Sequence, residues 1–256
     1  MNDLITSYTD VFKTNKSYYN ETVDAHLKRL AEIDELLPPS STFIIVTNTT
    51  TYGYEFVSKN VTYATGLDRG ELYAGGIRYL LERIHRDDVQ VWLGALHDLM
   101  HFCMTEVEES RRIKINFQYN YRVNVRPGKT INLIENQIPL VLDEFGKPVI
   151  GLGHFTVYDD GFAYPIQAFA KVLNAKDEYE TLFSKNYGIQ YLLGGLTHRE
   201  QDILRLMALG KTSKEIGSKL FISNHTVDTH RRNILQKLGI STTSEIISYC
   251  KNNKLF

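Results

Sequence analysis

The 256-residue chain is short of several things, and each shortage closes off a class of protein. It has only two cysteines, Cys103 and Cys250, too few for a disulfide scaffold, so a reducing compartment is the expected setting. Low-complexity runs and internal repeats are missing, and so is the pairing of low hydrophobicity with high net charge that marks a disordered chain. No apolar run approaches the roughly 18 residues that span a bilayer. The opening Met1-Asn2-Asp3-Leu4 lacks the basic start and apolar stretch of a signal peptide. A soluble, cytoplasmic protein with no membrane partner is therefore expected. Net charge is nearly absent too. The 29 Lys+Arg against 30 Asp+Glu leave -1, a total that by itself argues against a phosphate-binding surface.

What is present is unevenly placed. From Leu196 to Phe256 there are ten basic and five acidic residues, a net +5, so the rest of the chain carries -6. A charge division of this kind points to a basic binding module that the total conceals. The same segment is dense in helix signals. Thr197 with Glu200 and Thr212 with Glu215 have the T-x-x-E spacing of a capping box, and Thr242 with Glu245 repeats it. Ser223 stands where an N-cap is needed, and Gly210 and Gly239 supply stops. The spacing predicts four short helices in a helix-turn-helix arrangement.

On the third of these, from about Asn224 to Leu238, a helical wheel gathers Val227, Ile234 and Leu238 toward the core, with Leu235 beside them. The opposite side carries His225, Thr229, Arg232 and Gln236 at i, i+4, i+7 and i+11, all able to address base edges or phosphates. A merely solvated polar face has the same look. The runs Leu196–Glu200 and Ile203–Gly210, the Lys214–Ile216 and Leu220–Ser223 segments, Thr226-Val227, His230 and Lys237–Ile240 together resemble the DNA-binding domain of LuxR/FixJ-type regulators. The resemblance covers almost all of 196–250. It implies a third helix in the major groove of double-stranded DNA and a homodimer reading two half-sites. It further implies that Asp228, Thr229 and Arg232 face the groove and that Thr226, His230 and Arg231 contact or support the backbone. Four positions depart from the family pattern: Asp228 stands for a usual Lys, Ser213 for Asn, Gly217 for Ala and Thr243 for Arg.

The first two-thirds has a different texture. Phe43–Val46 and Tyr54–Val57 read as short strands, followed by helical pieces broken at Gly66, Gly70 and Gly75-Gly76 and a longer helix from about Asp87. Ile113, Ile115, Phe117, Tyr119, Tyr121, Val123 and Val125 alternate with polar residues, the period of a strand with one buried face. Pro127-Gly128 supplies a turn, and strands are expected over Ile131–Leu142 and Val149–Tyr158. The fold class expected is α+β, an antiparallel sheet with helices, followed by the all-α four-helix module. Tyr54–Val61, Gly66-Leu67, Ile84–Asp88, Tyr121-Arg122 and the Asp143–Pro148 joint make this region similar to a PAS domain, with Arg86 where that family commonly has Pro. The likeness implies a sensor of a small ligand, cofactor or other signal, or a dimerisation module, without naming the ligand.

The expected layout is an N-terminal helical extension at 1–39, a PAS-like sensor at 40–160, a linker at 161–195 and the DNA-binding domain at 196–256. Tyr19–Leu37 has helical spacing, and Ile166, Phe169, Ala170 and Leu173 suggest a helical turn or two in the linker, with Gly194-Gly195 as a hinge. No catalytic arrangement stands out, so a non-enzyme is expected. Three rivals remain. An acyl-homoserine-lactone domain is also α+β, but its pocket is rich in Trp and only Trp92 exists here. A PAS-like protein-interaction adaptor with a non-specific DNA-binding tail is a second. The third is a haem or metal redox protein using His97 and His101, although two ligands are half of a closed site. His154 lies on the last strand of the sensor, and Trp92, Tyr52 and Phe117 read as core.

Overall fold

The computed structural model describes residues 2–14, 21–158, 164–174, 176, 178–187, 196–238 and 240–252. The chain divides into two compact units, Met1–Lys185 and Asn186–Phe256. The expected hinge at Gly194-Gly195 and the stop at Gly239 lie outside the described residues.

The first unit contains α1 (Asn2–Phe12), α2 (Glu21–Leu36), β1 (Thr42–Asn48), β2 (Gly53–Val57), α3 (Asn60–Thr65), α4 (Arg69–Leu81), α5 (Val89–Glu106) and α6 (Glu109–Arg112). It continues with β3 (Ile115–Arg126), β4 (Lys129–Leu142), β5 (Pro148–Tyr158), β6 (Gln167–Leu173) and β7 (Tyr179–Asn186). The strands form one seven-stranded sheet ordered β2-β1-β5-β4-β3-β6-β7. The expected order of two strands, helices and a three-strand meander is therefore present, and the antiparallel α+β class holds.

Local chemistry explains most joints. Gly128 has φ 75° at the β3–β4 turn, where Arg126 pairs with Lys129, the left-handed position that favours glycine. Inside α4, Gly76 (φ 54°) kinks the helix against β2, and a Cβ there would lie 2.3 Å from the Tyr52 carbonyl oxygen. Asp88 opens α5, but its carboxylate turns to Arg122, accepting from the backbone N–H at 2.9 Å and from Nε at 3.0 Å. The Ile84–Val123 bridge and the His85 N–H to Arg122 carbonyl bond join the same two segments.

The structure corrects two sequence readings. Ile113 belongs to no strand: it ends α6 and is 37% exposed, so the alternating strand begins at Ile115. The expected helical turns around Ile166–Leu173 are strand β6, pairing antiparallel with β3. Ala168, Ala170 and Val172 are buried while Phe169 and Lys171 are not, so period 2 was the operative pattern.

One sheet face is covered by α2, where Val23, Leu27 and Leu30 pack on Val46, Phe56, Val149 and Ile150. Asp34, 2% exposed, anchors this helix by accepting from the Ser58 hydroxyl and the Lys59 N–H. The other face turns toward α1, α4 and α5.

The second unit contains α7 (His198–Ala208), α8 (Ser213–Leu220), α9 (Asn224–Leu238) and α10 (Thr243–Asn252). Both full capping boxes form, Thr197 with Glu200 and Thr212 with Glu215, and Ser223 accepts from the Thr226 N–H. Ile203, Leu204, Ile216, Val227, Ile234 and Ile246 are fully buried together, each contributing a gross ~1.5–3 kcal/mol of apolar burial. No helix among the described residues is long and apolar enough to cross a membrane.

Candidate nucleic-acid interface and interior cavity

Helix α9 presents the expected stripe. Val227 and Ile234 are sealed in the core, while His225, Thr229, Arg232 and Gln236 are exposed on the other side. Within the stripe the Thr229 hydroxyl donates to the His225 carbonyl at 3.0 Å, and Arg232 reaches Thr229 Oγ1 at 3.4 Å. Thr226 and Asp228 are exposed beside the stripe, whereas His230 and Arg231 are half-buried. His230 Nδ1 is buried with no hydrogen-bond partner.

Three departures from the family pattern meet around Arg231, which sequence spacing did not reveal. Ser213, at the start of α8, donates to Asp228 at 2.6 Å. Arg231 donates to Ser213 Oγ and to Thr243 Oγ1, both at 3.1 Å, so it ties α9 to α8 and α10. A shorter acidic side chain at 228 suits a serine at 213, and a hydroxyl at 243 suits the arginine from α9. The fourth departure also has a steric reason: a Cβ on Gly217 would sit 2.7 Å from the Ile222 carbonyl oxygen in the α8–α9 turn.

Glu200 anchors the frame. It is 3% exposed and accepts from the Thr197 N–H at 2.7 Å, the Thr197 hydroxyl and Lys237 Nζ at 2.7 Å. Burial raises its pKa, but the Lys237 and Thr197 donors outweigh that and hold it below the usual carboxylate range. Glu215 is held down to about 2 by the Thr212 backbone N–H, the Thr212 hydroxyl and Lys211.

The first unit encloses a second feature, a cavity of about 70 Å³ between the sheet and α1, α4 and α5. Its polar end is Glu135, 4% exposed, which accepts from the hydroxyls of Tyr119 (2.9 Å) and Tyr121 (2.6 Å) and from Gln137 Nε2 (2.8 Å). Burial raises the Glu135 pKa against the pull of these donors. Trp92 forms part of the wall, with Tyr8 of α1 stacked over it at 6.1 Å. Sequence reasoning did not single out Glu135, although a signal was there: it takes the place of an apolar residue in the inward series Ile131, Leu133, Glu135.

Other candidates stand apart. His97 and His101 stack 6.3 Å apart on an exposed face of α5, and the described residues hold no cluster of three or more potential metal ligands. His154 is exposed, and it is Phe155 that lines the cavity. Cys103 is fully buried, and burial pushes its thiol up to about 11, far from a reactive thiolate.

Comparison with known proteins bears on the second unit. Residues 195–250 match the model of the family described as bacterial regulatory proteins, luxR family, so this segment is a luxR-type helix-turn-helix domain. The transcriptional regulatory protein LiaR of Bacillus subtilis is 52% identical over 60 residues, which is 23% of this chain and 28% of that one. MctR of Rhizobium johnstonii, also a transcriptional regulatory protein, is 50% identical over 54 residues, 21% of this chain and 25% of its own. The chain thus spans about a quarter of the curated relatives it matches. Among solved structures, a phage VqmA–DPO complex aligns over 91% of this chain and 89% of its own at 14% identity and TM-score 0.36. A domain of a putative light and redox sensing histidine kinase from Haloarcula marismortui aligns over 52% of this chain and 99% of its own at 15% identity and the same TM-score. Likenesses this loose decide neither fold detail nor function.

Proposed function

We propose that this protein is a sequence-specific DNA-binding transcriptional regulator that acts as a homodimer, with a PAS-like signal-sensing domain at 40–160 and a reader at 196–256. The observation that carries the reading is a coincidence: the luxR-family match falls on a folded four-helix unit whose third helix exposes His225, Thr229, Arg232 and Gln236 in one line. Arg232 and Thr229 address base edges, His225 and Gln236 extend the contact along the groove, and Thr226 meets a phosphate near the N-terminus of α9. Asp228 and Arg231 act in part through their bonds to Ser213 and Thr243, which hold the helix at its angle; His230 packs beneath it. The cavity, whose described lining holds one carboxylate, supports a sensing role for the first unit. A signal there changes dimer geometry and brings two α9 helices to half-sites about one helical turn of DNA, ~34 Å, apart.

Fluorescence anisotropy of the full chain against genomic fragments tests the reading. Specific fragments are expected to bind, with affinity falling steeply as salt rises. Absence of binding to every fragment, down to low ionic strength, overturns it.

A further inference from the structure

Within the sensor unit, and resting on the sensing role proposed above, the cavity has a chemistry of its own. Among the described residues its walls carry one carboxylate, Glu135, and no Lys, Arg or His. An anionic ligand would bring a second negative charge beside Glu135 with no cation to meet it, at a large desolvation cost. The rest of the wall is strongly aromatic, and Trp92 is its centre: Tyr8 and Tyr119 of the same wall lie 6.1 and 6.4 Å from it, centroid to centroid. A cage of aromatic faces around a carboxylate is a general solution for binding an organic cation. Two buried polar groups in the wall support this. Tyr54 Oη and Trp92 Nε1 have no hydrogen-bond partner, in residues 7% and 2% exposed. Buried polar atoms are nearly always paired, and each orphan costs about 1–3 kcal/mol until something meets it.

We propose that this cavity is a binding site for a small organic amine that also carries a hydrogen-bond acceptor, its ammonium docking on Glu135 and Tyr54 and its acceptor meeting the Trp92 N–H. The carboxylate uses three acceptor positions for Tyr119, Tyr121 and Gln137 and keeps room for a fourth donor. Tyr54 Oη accepts from the ammonium as readily as it donates. The volume, about 70 Å³, holds roughly five to seven non-hydrogen atoms at the ~10–15 Å³ a water-sized group needs. Tyr8 and Phe12 of α1 belong to the same wall as Trp92.

The test is calorimetry and thermal shift on the full chain with matched sets: 4-amino-1-butanol, 1,4-butanediol and 4-hydroxybutyrate, and 3-amino-1-propanol, 1,3-propanediol and 3-hydroxypropionate. At least one amine is expected to bind ten-fold or more tightly than its alcohol, with its acid not binding. Glu135→Gln is expected to remove that preference. Should Glu135→Gln fail to fold, Tyr54→Phe decides: it deletes a buried hydroxyl that has no hydrogen-bond partner, so a structural role leaves stability the same or higher and affinity unchanged, while docking requires amine affinity to fall five-fold or more. No binding by either amine at millimolar concentration, equal binding of an acid, or unchanged affinity in Tyr54→Phe overturns the proposal. DNA anisotropy on the same preparations separates the two readings: retained DNA binding without amine binding sinks only the ligand assignment, and amine binding without DNA binding sinks only the regulator assignment.

Discussion

The two units hold their polar groups with different mixtures of local and long-range bonds. The second has an apolar centre and caps its helices with bonds between residues three or four apart, as in Thr197–Glu200 and Thr212–Glu215, adding a few bonds across helices, Glu200 with Lys237 and Arg231 with Ser213 and Thr243. The first carries polar groups into its interior and pairs them across long separations, such as Asp88 with Arg122, Asp34 with Ser58 and Glu135 with Tyr119. A unit that presents a surface to DNA needs a rigid frame, and local caps together with the Arg231 and Lys237 bridges provide one. The cavity of the first unit has a carboxylate inside, and it is distant strands and helices that surround it.

Changes that strike each unit's own kind of polarity sharpen this contrast. The largest expected effect is in the first unit. Arg122→Ala leaves Asp88 as an uncompensated buried charge and should cost about 3–5 kcal/mol. Denaturant unfolding followed by Trp92 fluorescence, which reports on that unit alone, measures it. In the second unit Glu200→Ala removes a capping box and strands Lys237. A loss of about 2–3 kcal/mol is expected in helix unfolding by circular dichroism, with the Trp92 transition unmoved. If Glu200→Ala moved both transitions together, the units would not be energetically separate.

Smaller effects concern the exposed stripe. Arg232→Ala should weaken binding to a specific site by about 1–3 kcal/mol and relax discrimination at one base position, checked by anisotropy against single-base variants. Uniform weakening across all sequences would instead mark Arg232 as a phosphate contact. The smallest effects come from protons, and their signs differ between units. Glu200, Glu215 and Glu245 are held below the ordinary carboxylate value. Their stabilisation is present above pH ~4.5 and is lost as pH falls toward about 2, where Glu215 takes its proton. Glu135 is raised, so its folded form favours the proton; its contribution is complete below pH ~4.5 and is lost as pH rises through the raised value. Wild type should therefore gain stability over Glu135→Gln on acidification, by Trp92 fluorescence, while the helical unit weakens.

The same contrast decides what could be read in advance. Helix α9 and its stripe were legible because 3.6-residue periodicity and caps are local, so Val227, Ile234, Thr229 and Arg232 declare their faces within about two turns of sequence. Strand β3 was legible from Ile115 onward for a similar reason, its period of 2. Strand β6 was misread because Ile166, Phe169, Ala170 and Leu173 also fit a helix spacing, and a short segment takes its state from the partner it pairs with, here β3. The Asp228–Ser213–Arg231–Thr243 chain escaped notice because its members come from three helices.

The sequence by itself determined the division of charge at Leu196, the four capped helices, the α+β order of the first unit and the residues α9 turns outward. These depend on neighbours within a turn or a strand, whose geometry the backbone imposes. Tertiary structure alone decided that Arg231 is tied down, that Asp88 faces Arg122, and that Glu135 shares a cavity with Tyr54 and Trp92. Those facts depend on which distant segments meet, and a buried charge is tolerable only where the fold brings its partners to it.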